Sequence, residues 1–280
     1  MRAIVRYAIR ESLRRRVFAV VVVLTAGFLA LYGVGAHFAF KEASSFAAPR
    51  AVDPVAFTGA TIFGLAMFAV LFLGAVLAVF LTLGVVRGDA ETGLLQPLVV
   101  RPLGRSALLV ARFAGAAALS FTYAVVVFGL ALGITLLTGD WRPDHIVGPA
   151  VSLGLAVVII AALSLLTSVF LSGTAQGIAV LMVFGAGLTA GLLGQIGDAL
   201  DSHTLESIAH YSSWVLPFEA LYQAGLHALV SSTGGLTNAI LRLGPFGGAQ
   251  AASGGLALYA FAYCAGAIAL AAVAFTRRDL

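Results

Sequence analysis

The stretch PVAFTGATIFGLAMFAVLFLGAVLAVFLTLGVV, Pro54–Val86, runs between Asp53 and Arg87 without one Asp, Glu, Lys or Arg. A hydrocarbon core about 30 Å thick is crossed by roughly 20 helical residues, so this run suffices for one complete crossing. Two more runs have the same character, Val17–Phe40 between Arg16 and Lys41, and Phe113–Gly139 between Arg112 and Asp140. Ile146–Gly197 is long enough for two helices, and its internal Ser172-Gly173-Thr174-Ala175-Gln176-Gly177 has the small and polar residues of a tight turn at a membrane face. The last run, Leu243–Thr276, opens rich in Gly and Pro and reads as a helix from about Gly255. Six spans follow, near 17–40, 58–86, 108–137, 147–171, 175–197 and 255–276, within a single all-α, polytopic membrane domain covering 1–280.

Composition points the same way. Of 280 residues, 61% are hydrophobic and 10% charged, with a mean hydropathy of +1.04. A water-soluble domain carries roughly 25% charged residues because its outside must be wetted. The polar surface here is too small for that, and no sizeable extramembrane catalytic domain fits between the spans. The lone cysteine, Cys264, lies in an apolar run, where a free thiol packs as a small hydrophobe.

Arginine and lysine beside spans are retained on the cytoplasmic side. With the N-terminus inside, the inner segments hold Arg2, Arg6, Arg10, Arg14, Arg15, Arg16, Arg87, Arg101, Arg105, Arg112, Arg277 and Arg278 against Glu11, Asp89, Glu91 and Asp279. The outer segments hold Lys41, Arg50, Arg142 and Arg242 against Glu42, Asp53, Asp140, Asp144, Asp198, Asp201, Glu206 and Glu219. This asymmetry places both termini of a multi-pass protein in the cytoplasm, at the cytoplasmic (inner) membrane. A seventh span over Ala220–Leu241 would move Arg277 and Arg278 outside, and that stretch contains Gln223, His227 and Ser231-Ser232-Thr233-Gly234-Gly235. It is expected to be a re-entrant or interfacial helix, which requires protein or a watery cavity around its irregular backbone.

In residues 1–16, Arg2, Arg6, Arg10 and Arg14 recur every four residues with Ile4, Val5, Ala8, Ile9 and Leu13 between them. That is the pattern of a basic amphipathic helix on an anionic leaflet. A cleaved secretory signal is the rival reading, but the uncharged run exceeds a usual h-region and no clear cleavage site follows it.

Several chemistries lack their residues. Ion-coupled carriers keep ionisable groups at the midplane, whereas the five runs carry only His37, near one end. No G-x-S-x-G or H-E-x-x-H occurs, and the one lysine, Lys41, lies in no G-x-x-x-x-G-K-[ST] loop. The chain is expected to have no catalytic residues and no ATPase site of its own.

Between spans two and three lies Arg87-Gly88-Asp89-Ala90-Glu91-Thr92-Gly93-Leu94-Leu95-Gln96-Pro97-Leu98-Val99-Val100-Arg101-Pro102-Leu103-Gly104-Arg105. Asp89 and Glu91 suit a helix N-terminus, Leu94, Leu95 and Leu98 offer an apolar face, and Pro97 and Pro102 prevent a long continuous helix. The segment reads as a short amphipathic helix near 88–97, or equally, from composition alone, as a solvated loop whose arginines fix topology.

At these residues the sequence resembles the ABC-2 family of ABC-transporter permeases, whose members show E-x-G-T-L after the second span, then leucines, then R-P-x-x-R. Glu91, Gly93 and Leu95 match the first part, and Arg101, Pro102 and Arg105 the second. Leu94 stands at the usual threonine position, and Pro97 interrupts the leucine run. The order of elements also matches, including a long outer segment carrying Leu216-Pro217-Phe218-Glu219-Ala220-Leu221 before the last span. The resemblance implies an ABC-2, type V exporter-like transmembrane domain, export as the direction of transport, and a coupling helix seated in a separate ATP-binding subunit. The residues implied for that contact are Asp89, Glu91, Thr92, Gly93, Leu94, Leu95, Gln96, Leu98 and Arg101, with Ser172, Gly173 and Gln176 as a smaller second contact. ATP and Mg²⁺ would be bound by two copies of that partner, leaving no cofactor in this chain. A second permease copy in a homodimer, or a related permease, and membrane lipids complete the expected partners, with no nucleic acid. The competing reading is an ATP-independent transporter or a membrane scaffold.

The outer segment, 198–254, supplies the last candidates. His203, Glu206 and His210 fall on one helical face at i, i+3 and i+7, and Glu219 lies beyond them. Two histidines and a carboxylate are too few for a metal assignment, so the face is read as water-facing, with substrate contact as the sharper alternative. Gly187 with Gly191, and Gly129 with Gly133, are spaced for close helix approach.

Overall fold

The computed structural model describes residues 16–45, 53–83, 105–139, 141–143, 145–230 and 254–277. Every regular element among them is a helix: α1 (Arg16–Ser45), α2 (Pro54–Thr82), α3 (Arg105–Gly139), α4 (Val147–Phe170), α5 (Gly173–Leu200), α6 (His203–Val215), α7 (Pro217–Val230) and α8 (Leu256–Thr276). Six of these, all but α6 and α7, are long and apolar enough to cross a bilayer. The amphipathic start, the segment 88–97 and residues 231–253 lie outside the described residues.

Local chemistry sets the helix ends. The second helix begins at Pro54, ahead of the expected 58, because Asp53 caps it. Its Oδ1 accepts from the Val55 and Ala56 amides at 2.9 and 3.2 Å, and Pro54, which has no N–H to satisfy, occupies the first turn. Between α4 and α5 the turn is tighter than Ser172–Gly177: only Leu171 and Ser172 lie outside helix, and α5 starts at Gly173. At the other end of α5, Asp201 takes a left-handed conformation, φ 50°, which a short polar side chain tolerates. The Ser202 amide then donates back to the Gly197 carbonyl at 2.9 Å, and the chain reverses into α6.

The bundle is organised around α4, which packs against α2, α3, α5, α7 and α8. Its sequence suits that place, since Leu153, Ala156, Val157, Ile159, Ile160 and Ala161 are all buried. A helix apolar all round belongs inside a bundle. Lipid supplies no hydrophobic drive between helices, so association rests on close packing and interhelical hydrogen bonds, and both are present. Gly74 of α2 receives Val157, and Gly154 of α4 receives the Phe121 ring of α3. Tyr32 and Thr135 share a 2.6 Å hydrogen bond between α1 and α3, and Thr25 and Tyr123 join the same two helices nearer one end. Successive crossings alternate in direction. Thus the close of α8, where Phe275 meets Leu109 and Val169, lies at the same end of the bundle as the α4–α5 turn. At the opposite end Trp141 covers Gly59 and packs on Phe63.

A Cβ built on Gly74 would come within 2.7 Å of Val157 Cγ2, whereas one on Gly129 meets nothing within 4 Å. Gly74→Ala is therefore expected to destabilise the protein by roughly 1–3 kcal/mol through overpacking. Gly129→Ala is expected to be neutral or to stabilise by up to about 1 kcal/mol through helix propensity. Thermal unfolding of the two variants in one detergent checks the contrast.

Candidate functional site

Two polar places stand out in this apolar bundle, one at each end. The first joins α2, α4 and α5 beside the α4–α5 turn. Thr82 donates through Oγ1 to Ser164 Oγ at 2.7 Å. Gln176 Nε2 lies within hydrogen-bond reach of the Thr82 carbonyl, the Ser164 carbonyl and Ser164 Oγ, at 3.1, 2.9 and 3.1 Å. All three residues are fully buried. Gln176 thus differs from the surface contact expected of it: its amide points inward, where it meets the Thr82 carbonyl at the end of α2 and the Ser164 carbonyl and hydroxyl of α4. Ser172, Thr174 and Ala175 form the exposed part of this turn, with Gly173 half-buried.

The second place is built by the α6–α7 hairpin. Glycines at 187, 191, 194 and 197 recur along α5, and each is covered by the hairpin rather than by another span. Gly197 lies against Leu205 and Glu206, and Gly194 against Ala209, so α6 doubles back along α5. Gly191 receives the Glu219 carboxylate and Gly187 the Phe218 ring, both from the first turn of α7. From Asp201 back to Gly187 is roughly 20 Å at 1.5 Å per residue. Helix α7 then returns, with Gly225 against Pro149 at the start of α4 and Met67 of α2. The hairpin therefore enters and leaves at one end of the bundle, and the 14 residues of α7 are too few to span a bilayer.

Each arm of the hairpin has the chemistry of its surroundings. Helix α7 is embedded, with Phe218, Leu221, Tyr222, Leu226 and Leu229 buried, and Phe218 stacks on Phe184 at 5.7 Å. Helix α6 buries no residue and turns its polar groups outward or into the cavity beside it. At the tip, α6 would leave its last carbonyls unmet, as helix ends do. Two tyrosines of α8 supply the donors: Tyr259 Oη donates to the Trp214 carbonyl, and Tyr263 Oη to the Val215 carbonyl at 2.8 Å. Pro217 opens α7 in the position that needs no N–H.

Between α5, α6, α7 and α8 lies a cavity of about 960 Å³. Its walls include Glu206, His210, Tyr211 and Trp214 of α6, Glu219 and Gln223 of α7, and Tyr259 of α8, over a floor containing Gly191 and Gly194. Glu206, His210 and Glu219 are thus brought to one cavity, while His203 stands in water, 98% exposed, with Nδ1 3.6 Å from Glu206 Oε2. His210 Nε2 accepts from Trp214 Nε1 at 3.3 Å. Among the described residues no three metal-ligating side chains converge.

Glu219 is 7% exposed and accepts from Gln223 Nε2 at 2.8 Å. Burial pushes its carboxyl above the ordinary 4.5, and the Gln223 hydrogen bond opposes that only in part. Burial, then the Glu219 charge, raises the Tyr222 hydroxyl as well. Gln223 is 9% exposed, and its Oε1 is buried without a partner. Sequence reasoning placed Glu219 among the site candidates but missed Gln223, Trp214 and Tyr259 as cavity walls. The i, i+4 spacing of Glu219 and Gln223 was the available signal.

Six helices long and apolar enough to cross a bilayer thus include a central fourth one, with the α6–α7 hairpin inserted before the last. A model of ABC-2 family transporter proteins matches residues 2–280. The chain belongs to the ABC-2 transporter family. None of the curated proteins compared with the chain matches it. Membership makes it a multi-pass membrane protein and the permease component of an ABC transporter.

Two outcomes test the second site of this ABC-2 permease. Because the native state holds the Glu219 proton more tightly than the unfolded chain, the associated stability is fully present below pH 4.5. It is lost as pH rises through the raised native value. The stability of wild type relative to Glu219→Gln is therefore expected to fall across that window in unfolding scans at stepped pH, and a flat difference contradicts the burial argument. Tyr263→Phe is expected to cost about 1 kcal/mol, the worth of one hydrogen bond, and to lower the unfolding midpoint, whereas Phe261→Leu on the exposed side of α8 should not.

Proposed function

We propose that this permease is the moving gate of an ATP-driven exporter in the cytoplasmic membrane, with both termini in the cytoplasm and its motor on separate ATP-binding subunits. The observation that carries the reading is the family match across 2–280, joined to a sequence that has no phosphate-binding lysine loop. ATP and Mg²⁺ belong to the partner. Two such subunits and a second permease, identical or related, complete the assembly, because six spans are few for an enclosed pathway. The arginine excess on one set of loops supports the orientation, as does the return of α8 to the end of the bundle where the α4–α5 turn lies.

In this reading Asp89, Glu91 and Leu95 dock the 88–97 segment into a cleft of the ATP-binding subunit. A docked segment biases a bundle only if its contact differs between the two states, and closure of two ATP-binding subunits around ATP supplies that difference. The polar node gives the force a route. Helix α2 ends at Thr82, just before the docking segment, and Thr82, Ser164 and Gln176 bind that end to α4 and α5. A push on the segment therefore moves three helices together, and α4 carries it to α7. Exposed Ser172 at the α4–α5 turn gives the same subunit a second foothold.

Affinity capture of the tagged permease from its native membranes is expected to recover an ATP-binding subunit. Glu91→Arg is expected to reduce that recovery by about tenfold, the effect of reversing one charge at a docked contact, while leaving the permease in the membrane fraction. Undiminished recovery would remove the docking role from this segment.

A further inference from the structure

We propose that the cavity between α5, α6, α7 and α8 binds an amphipathic organic cation, an apolar molecule carrying a protonated or quaternary nitrogen. This deepens the permease reading and rests on it for the claim that such a molecule is cargo. The first argument is the balance of charge. Two carboxylates, Glu206 and Glu219, line the cavity against one histidine, His210, and no lysine or arginine does so among the described residues. The second is an acceptor lacking a donor. Gln223 spends its amide N–H on Glu219, and its Oε1 is buried without a partner. A buried acceptor left in that state is costly, and rotation of the Gln223 side chain, which lines the cavity, would offer it to a ligand N–H. Third, the rings of Tyr211, Trp214 and Tyr259 stand around the same space, and aromatic faces attract cations, more strongly where water is excluded.

Size and the remaining surface agree. A volume of about 960 Å³ is at the upper end of the roughly 300–1,000 Å³ that small-molecule sites occupy. Leu256, Leu258 and Ala262 of α8 complete the wall with hydrocarbon, which suits the apolar part of the ligand. An anion would meet two carboxylates there, and a neutral hydrocarbon would leave them and Gln223 unserved. A cation beside Glu219 also offsets the burial that disfavours its charged form.

The test uses the full-length chain in phosphatidylcholine nanodiscs, with rhodamine 6G as the cationic probe and fluorescein as an anionic molecule of similar frame. Fluorescence anisotropy is expected to show saturable binding of rhodamine 6G and none of fluorescein. Glu219→Gln is expected to weaken it by about tenfold or more, the loss of one charge-assisted contact. Glu206→Gln, on the exposed arm of the hairpin, is expected to weaken it less. Quenching of Trp214 fluorescence by the dye, absent in Trp214→Phe, places the probe in this cavity. Equal binding by the two carboxylate variants and wild type would overturn the proposal, as would equal binding of the two dyes. So would displacement of rhodamine 6G by phosphatidylethanolamine at bilayer concentration, since the site would then hold a headgroup. Capture of an ATP-binding subunit from the same cells separates the two claims. Capture without dye binding sinks the cation site alone, and dye binding without capture supports the site while removing the transport reading.

Discussion

A bilayer interior offers a polypeptide no water to bind, so every amide and carbonyl that leaves a helix ladder at that depth must find its partner in the protein. That constraint bears on the hairpin tip between α6 and α7, where the chain reverses beside Gly187, midway along α5. The tip holds because Tyr259 and Tyr263 reach from α8 to the carbonyls of Trp214 and Val215. Proline at 217 has no N–H to leave unmet, and the Phe218 ring fills the place beside Gly187. The same rule explains the buried amide of Gln176 at the opposite end, where α2 runs out and its Thr82 carbonyl lies free of the ladder. Polar residues are few in this chain, and several of the buried ones stand where a helix stops.

This view also shows why parts of the architecture were legible in the sequence. Crossing the membrane is a matter of length and charge, and Asp53, Arg87, Arg112 and Asp140 bracket apolar runs that became α2 and most of α3. The family resemblance was carried by residues between 84 and 104, outside the described residues, by Arg105 at the start of α3, and by the order of elements. The hairpin was legible only in outline. The glycines at 187 and 191 announced that something approaches α5 closely, but spacing on one helix does not name the element that fills the groove. A second span would satisfy Gly187 and Gly191 as well as α7 does. The choice depends on Phe218 and Glu219 fitting against those two backbones, which is a fact of three-dimensional packing.

The site was less legible than the fold for a related reason. His203, Glu206 and His210 share a helical face, as the period of 3.6 requires, yet His203 remains in water while Glu206 and His210 border a cavity. Periodicity fixes which residues are neighbours along a helix, and it is silent on which end of that face is covered. Glu219 was named as a candidate in the outer segment, with nothing in its spacing to say which way it faces. Helix α7 nevertheless turned it inward, into the floor formed by Gly191 and beside Gln223. A carboxylate is a surface residue by default, and only the position of Pro217 and Phe218 in the same first turn overrides that default.

One element packs against the helices that carry both polar places. Helix α4 contacts α2 and α5, whose ends meet at Gln176, and it also carries the longest packed surface of α7. Close-packed cores shift between discrete arrangements rather than deform smoothly, so a displacement of α4 cannot leave α7 where it was. Because Glu219 is held by α7 on one side and lies against Gly191 of α5 on the other, relative movement of α7 and α5 would change the width of the gap around its carboxylate. A carboxylate that is enclosed in one arrangement and wetted in another has two different affinities for a positive charge, since burial and water act on its charged form in opposite senses. Thus the geometry that lets a hairpin enter the bundle also ties the affinity of the cavity to the packing of the fourth helix.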